Sequence, residues 1–387
     1  MKCNRCRLFL FRFILVVAVL LSLEFICFLA MWMNSQTYDW LSNKNYMRIR
    51  AMLMGNEAGD QRPKYLSSPY LGYIPFPGYE KFSTQQHNTD GYRGNEVPRT
   101  KGNKMRVLCM GGSTTYGLGV NYPQLTYPAQ LEKLLNTYLK TDPLLQQKTT
   151  GFEVINAGIE AGTSAEELQH YLFKYRYYKP DIVIVHSGVN DAEIMAKYDP
   201  NFQLDYTHYR RFQFHLEPLT APARWLMKSY FFSFFTIRLF YENFYSCGTS
   251  GRECYTKQQE QTFCKWSKVN MDSVVNNDIR DNIPFYRNTA TLFSTIQQDS
   301  AMLLVLPNAL NLKDSFVLSN QRYKKICDYN TLLSSVLAKK NNGTVIPFTY
   351  DSITNKSDWI DDCHLNESGE LNKAQLVMQF IVQKLKR

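Results

Sequence analysis

From Phe13 to Met33 the chain is apolar apart from Ser22 and Glu24, and neither Lys nor Arg occurs between Phe13 and Asn43. At about 1.5 Å per residue, a helix over 13–33 is long enough for a hydrocarbon core of about 30 Å. Lys2, Arg5, Arg7 and Arg12 precede it. The positive-inside rule then predicts a cytoplasmic tail over 1–12, an anchor over 13–33 and everything after Asn34 on the far side of the membrane. The rival reading is a cleaved signal peptide. That would have a shorter apolar region ending in a small-x-small site, for which Leu29-Ala30-Met31-Trp32 is a poor match. Glu24, near the middle of the span, is costly there unless paired or protonated, so it marks either a helix partner or a single tolerated acid.

After the anchor the pattern changes twice. Residues 34–104 are mixed in character. The part from Pro69 to Gly94 is dense in Pro, Gly and Tyr, and is expected to form extended turns docked on the domain that follows. From Met105 onward, short apolar runs alternate with helical periodicity. The runs are Arg106–Met110, Phe152–Asn156, Asp181–His186, Ala301–Leu306 and Gly343–Phe348. Each is β-branched or Leu-rich and bounded by Gly, Pro, Asn or Asp, as buried parallel strands are. Helical spacing occupies 126–139, 279–298, 320–340 and 367–385. Ser164-Ala165-Glu166-Glu167 reads as a capping box opening a helix that runs to about Tyr177. The pattern predicts a catalytic-size α/β domain over 105–387, a three-layer α/β/α sandwich on a mostly parallel five-stranded sheet. In such sheets ligands bind at the carboxyl ends of the strands.

One insertion, at about 197–278, breaks the rhythm. Within it Ala223 to Tyr245 is helix-like and rich in Phe, but its uncharged part, between Lys228 and Arg238, is too short to span a bilayer. The stretch is a lid, a helix resting on the membrane surface, or aromatics packed on the domain.

Composition narrows the class further. Hydrophobic residues make up 44% and charged residues 20%, which supports a folded core. The net charge is +10, but four of those charges precede the anchor and no Lys/Arg block follows, so no nucleic-acid partner is expected. Six of nine cysteines lie beyond the anchor, where disulfides are permitted. Cys247, Cys254 and Cys264 cluster, and at least one pair there is plausible, although connectivity among these, Cys327 and Cys363 is open. Cys109 falls in a strand and reads as a buried free thiol. The spacing lacks the paired C-x-x-C pattern of a zinc site.

Four segments follow the predicted strands. Gly111-Gly112-Ser113-Thr114-Thr115 lies where the first strand ends. Glycines let the backbone turn sharply, and a Ser at a helix N-terminus can stabilise, with its own N–H, the oxyanion it creates. Taken alone, Gly-Gly-Ser is more often an ordinary turn with a capping Ser. No Gly-Lys-Ser/Thr follows, against a phosphate loop, and Thr115 stands where a hydrolase elbow needs Gly. Asp361-Asp362-Cys363-His364 follows the fifth strand. There a carboxylate three residues before a His can fold back on its Nδ1–H, although such clusters are commonly surface features. Asn190, in Gly188-Val189-Asn190-Asp191, and the backbone of Asn156–Ser164 offer hydrogen-bond donors. Each is singly a routine strand-to-helix turn.

Together, in this order, the four segments resemble the signature blocks of the SGNH hydrolase superfamily, the GDSL-like esterases and lipases. The resemblance covers about residues 105–385 and implies a flavodoxin-like fold. It implies Ser113 as nucleophile, His364 as general base and Asp361 as the residue orienting it. The oxyanion hole would be the Ser113 N–H, Asn190 and a backbone N–H of the second block. The family's glycine there falls on Ala161, with Gly162 one place later, so which of the two supplies the N–H stays open. The first block here has Gly-Gly-Ser where the family often has Gly-Asp-Ser. Asn88-Thr89-Asp90-Gly91-Tyr92-Arg93-Gly94 is similar to a segment upstream of the catalytic block in anchored members. The implied activity is hydrolysis of an acylated small molecule, lipid or carbohydrate through an acyl-serine, with no cofactor or metal. The alternatives are O-acyl transfer to a surface polysaccharide and a non-catalytic carbohydrate- or partner-binding module.

Overall fold

A computed structural model describes residues 2–37, 45–54, 64–196 (except 69 and 82), 206, 219–241 and 284–386 (except 354). The candidate pairing partners Cys247, Cys254 and Cys264, and most of the 197–278 insertion, lie outside the described residues. The chain divides into two compact units, one of Met1–Ser67 with Arg211–Thr256, the other of Ser68–Arg210 with Lys257–Arg387.

The second unit holds five parallel strands: β1 (Met105–Gly111), β2 (Phe152–Gly158), β3 (Ile182–His186), β4 (Met302–Val305) and β5 (Thr344–Val345). Their order in the sheet is β2-β1-β3-β4-β5, and every neighbouring pair runs parallel. Side chains alternate across a strand, so each of these apolar runs feeds two cores. Val107, Cys109, Ile184 and Leu304 face one way, onto Leu131, Leu135, Val377 and Ile381 of helices Tyr127–Leu139 and Glu367–Leu385. Leu108, Met110, Val183, Val185 and Leu303 face the other. There they meet Tyr171, Leu292, Phe293 and Leu337 of helices Ser164–Phe173, Pro284–Gln298 and Gln321–Lys340. This is the three-layer sandwich that the sequence pattern predicts. Burying each such Val, Leu or Ile contributes about 1.5–3 kcal/mol before entropy is counted.

One boundary needs correction. The capping box is Thr163 with Glu166, one residue before the predicted Ser164. Glu166 accepts from the Thr163 N–H, while the Ser164 hydroxyl is turned away to Asp191. Cys109 is a buried free thiol, pushed up to about 12 by burial. Cys327 and Cys363 are also free and buried.

The Pro/Gly/Tyr-rich segment docks on this unit through polar bonds as much as through apolar area. The Tyr73 hydroxyl donates to the Glu160 carbonyl at 2.5 Å, and the His170 Nε2–H donates to the Tyr73 carbonyl at 3.0 Å.

The first unit is built on helix Lys2–Thr37, whose stretch Arg7–Thr37 is long and apolar enough to cross a membrane. Helix Tyr46–Met54 and the short helices Ala221–Leu226 and Tyr230–Thr236 belong to the same unit. Met31, Tyr46, Ile49, Leu53, Met227 and Ile237 form its small core. Glu24 is paired: it accepts from the Ser229 hydroxyl and from the backbone N–H groups of Tyr230 and Phe231.

Candidate active site

The strand order 2-1-3-4-5 places a topological switch beside β1, because the chain moves outward to β2 on one side and to β3 on the other. Gly111, Gly158 and His186 stand at one level in the register, so the three loops that follow converge there. After β1 the chain turns into the short helix Ser113–Tyr116. Gly111 makes this possible: its φ is 153°, and a Cβ would lie 2.2 Å from the His186 carbonyl oxygen.

Ser113 opens that helix, half-buried. The loop after β5 brings His364 over it, with Nε2 2.7 Å from Ser113 Oγ. On the other side of the ring, Nδ1 lies 2.7 Å from Asp361 Oδ2 and 3.0 Å from Oδ1. An ionised carboxylate only accepts, so Nδ1 carries the proton and Nε2 presents a lone pair to the Ser113 hydroxyl. Asp361 Oδ1 also accepts from the backbone N–H groups of Cys363 (3.0 Å) and His364 (2.8 Å). Burial alone would raise this carboxyl, but the His364 bond and charge and these two N–H groups outweigh it, and it is lowered to about 2. Asp362 is engaged elsewhere, accepting from the Tyr323 hydroxyl at 2.8 Å. The cap of the helix that follows is Asn366, not Asp362.

Asn190 stands in the first turn of helix Val189–Ala196, after β3. Its Nδ2 donates to the Gly162 carbonyl at 2.7 Å, which leaves a second amide hydrogen for a ligand. A Cβ on Gly112 would lie 2.4 Å from that Nδ2, so glycine beside Ser113 is what lets the amide approach. Ala161 has φ 55°, the left-handed conformation in which glycine is more usual. Gly162 is buried, and its N–H donates to the Ile159 carbonyl at 2.9 Å. All six residues singled out in the sequence therefore lie on the loops that surround the carboxyl end of β1.

Three supporting groups have roles that the motifs do not assign. Asp191 is buried and accepts from both the N–H (3.0 Å) and the hydroxyl (2.6 Å) of Ser164, tying the loop after β3 to the loop after β2. Burial raises its carboxyl to about 6 against the pull of those bonds. Lys373, in the last helix, donates to the Thr114 carbonyl and to Glu370. Arg93 donates to the carbonyls of Tyr116 (2.9 Å), Gly117 (2.6 Å) and Val120 (2.7 Å), with its guanidinium 4.3 Å from the centre of the Tyr116 ring.

Among the described residues, the group whose ligand atoms could gather on a metal is Asp361, Asp362, Cys363 and His364, all within 4.8 Å of one another. His364 is held at both ring nitrogens, Asp362 is bonded to Tyr323, and burial pushes the Cys363 thiol up. A serine, an imidazole and a carboxylate in hydrogen-bonded series suit general-base activation of a nucleophile instead.

A model of the GDSL-like lipase/acylhydrolase family matches residues 109–370. No curated protein matches the sequence. Among solved structures, an alpha/beta hydrolase enzyme from the metagenome of Lake Arreo, Spain, is 12% identical over 71% of this chain and 94% of its own, with a TM-score of 0.37. A GDSL-like lipase from Bacteroides thetaiotaomicron is 12% identical over 74% and 93%, with a TM-score of 0.38. An acetyl xylan esterase from Geobacillus stearothermophilus is 13% identical over 72% and 95%, with a TM-score of 0.39.

Proposed function

Since the chain belongs to the GDSL-like lipase/acylhydrolase family, we propose that it hydrolyses O-acyl esters through an acyl-Ser113 intermediate. The observation that carries this reading is the series Ser113 Oγ to His364 Nε2, 2.7 Å, and His364 Nδ1 to Asp361, 2.7 Å.

In the first half-reaction Ser113 Oγ attacks the acyl carbonyl while His364 Nε2 takes its proton. Asp361 stays ionised and stabilises the imidazolium that forms. The tetrahedral oxyanion is held by the Ser113 N–H, the Asn190 amide and a backbone N–H of the second block, from Ala161 or Gly162. His364 then protonates the leaving alcohol. In the second half-reaction it draws a proton from water, which attacks the acyl-enzyme and releases the acid and free Ser113.

The unit Ser68–Arg210 with Lys257–Arg387 would work outside the cytoplasm, tethered by the span at 13–33. A reporter fused after Arg387 should be exported, and protease outside intact cells should reach residues beyond Asn34.

Labelling with a fluorophosphonate, with turnover of acyl esters of graded chain length, tests the chemistry. The wild-type chain should label and turn over, and Ser113→Ala should do neither while remaining folded. Unchanged ester turnover in Ser113→Ala would overturn the reading. A parallel assay with a polysaccharide acceptor separates hydrolysis from transfer, because transfer requires that the site exclude water.

A further inference from the structure

The stretch from Ala221 to Tyr241 takes no part in the chemistry above. It consists of the helices Ala221–Leu226 and Tyr230–Thr236, the second continuing as a π-helical turn, Ile237–Tyr241. One side packs within its own unit: Phe28 of the N-terminal helix meets Tyr230 edge-on at 5.0 Å, and Met227 and Ile237 are buried with Met31. The other side is open. Trp225, Phe232, Phe235, Leu239 and Phe240 are 45–70% exposed. So large a run of exposed aromatics marks an interaction surface. The N-terminal helix on which it packs also exposes apolar side chains, such as Leu20 and Phe25.

The polar groups in this unit identify what covers that surface. Glu24, in the middle of the apolar span, accepts from the Ser229 hydroxyl, from the Tyr230 N–H at 2.7 Å and from the Phe231 N–H at 3.3 Å. These are the N–H groups that the start of a helix leaves without a backbone partner. The turn between the two short helices is closed as well. Arg50 donates to the carbonyls of Met227 (3.1 Å) and Lys228 (3.0 Å), and Ser233 donates to Met227 at 2.8 Å. In water each of these groups would be solvated and would gain little from pairing. In hydrocarbon, irregular backbone persists only where its donors and acceptors are satisfied internally, and a carboxylate needs a partner. Arg224 and Lys228, in the same stretch, are exposed, and long cationic side chains of this kind reach lipid phosphates.

We propose that residues 221–241 are a second membrane-embedded element. They lie against the anchor in the half of the bilayer nearer Asn34, seated by Glu24 and covered by lipid acyl chains on the Phe232, Phe235 and Phe240 side. Roughly 15 Å of helix separates Glu24 from Asn34, so the element dips below the headgroups without crossing. The proposal rests on the reading that the N-terminal helix spans the bilayer.

The test uses the full chain in phospholipid vesicles, with photoreactive benzoylphenylalanine placed singly at position 20, 177 or 235 and an alkyne-tagged phospholipid as the probe. Position 20 reports the anchor. Position 177, on exposed Tyr177 of the other unit, reports background. Lipid adducts at positions 20 and 235 should agree within about threefold, and both should exceed position 177 at least tenfold. Adducts at 20 with background yield at 235 would overturn the proposal and leave the anchor standing. Background yield at both would overturn the anchor and the proposal with it. Glu24→Leu, which cannot accept a hydrogen bond, should lower the yield at 235 at least fivefold and leave position 20 unchanged. Glu24→Gln, which keeps an acceptor, should lower it less. Equal yields at 235 in wild type and Glu24→Leu would overturn the role given to Glu24.

Discussion

Lys373 donates its ammonium to the backbone carbonyl of Thr114 at 2.8 Å, one residue beyond the proposed nucleophile, from a position only 2% exposed. Its other partner, Glu370, is equally buried and accepts from the Tyr127 N–H at 2.7 Å. A buried pair of this kind adds little net stability over an apolar pair, but breaking it strands a charge. Lys373→Met is therefore expected to cost about 3–5 kcal/mol, seen as a lower Tm by calorimetry. The double variant Lys373→Met with Glu370→Gln should recover part of the loss. An unchanged Tm in the single variant would contradict the clamp.

The two neighbouring aspartates should separate sharply. Asp361 Oδ1 is claimed by the backbone N–H groups of Cys363 and His364. In Asp361→Asn the amide oxygen would keep those bonds and the NH₂ would face His364 Nδ1. That forces the proton onto Nε2, the nitrogen that must accept from Ser113. The expected loss in kcat is about 10⁴-fold with the fold intact. Asp362→Asn keeps an acceptor for Tyr323 and should cost less than about threefold. Steady-state ester kinetics on both variants decide, and a larger loss at 362 would move the orienting role there.

Gly112 and Asn190 should behave as one functional unit. A methyl at 112 would lie 2.4 Å from the Asn190 Nδ2, and the side chain can swing away at small structural cost. Gly112→Ala is expected to fold and to lose about 10²–10³ in kcat, as removal of an oxyanion donor does. Asn190→Ala should lose a similar amount, and the double variant little more than either. Additive losses would mean that Gly112 acts through something other than the amide.

The strands and most helix limits were legible because strands buried on both faces leave short apolar runs bounded by Gly, Pro, Asn or Asp. The reactive residues were legible because a serine, an asparagine and a D-x-x-H each follow such a run. The buried cations were not, because a motif scan reads Lys and Arg as solvent-facing. For Lys373 a signal was present. Glu370 falls on the stripe completed by Ala374, Val377 and Ile381, all buried, so an acid stands on the core face and a cation three residues on can pair with it. Arg93 lies in the Asn88–Gly94 segment, but nothing there shows its partners, which are backbone carbonyls brought to it by the fold. Nor could pattern find Asp191, which acts across two loops. The aromatic insertion carried a helical pattern but nothing to say which surface it meets.

Acid should weaken the fold before it protonates Asp361. Burial, then the neighbouring Lys174 charge, lowers His170 to about 4, and burial, then Lys373, lowers His186 to about 3. Unfolded, each would titrate near 6.5. Between that value and the folded one, the unfolded chain binds protons that the folded chain refuses. Stability is therefore full above about pH 6.5 and falls as pH drops, by about 1.4 kcal/mol per pH unit for each histidine. Going from pH 7 to pH 5 should cost about 2 kcal/mol per histidine, measured as a shift in denaturant midpoint. Asp191, raised to about 6, works the other way and gains stability as pH falls. His170→Gln, whose amide can still donate to Leu71 and Tyr73, should shrink the net shift. An equal shift in the variant would exclude His170 as its source.

The proposed nucleophile and its base are separated by 251 positions, and this fixes when during biosynthesis the enzyme can first act. The turn bearing Ser113 leaves the ribosome early, while the loop bearing Asp361 and His364 follows only just before the closing helix. Until that loop has been made, the serine is an ordinary alcohol without its general base. A chain that lacks residues 361–364 would be inert. The proposed chemistry therefore waits on residues 361–364, and no acyl group is at risk until they have folded over Ser113.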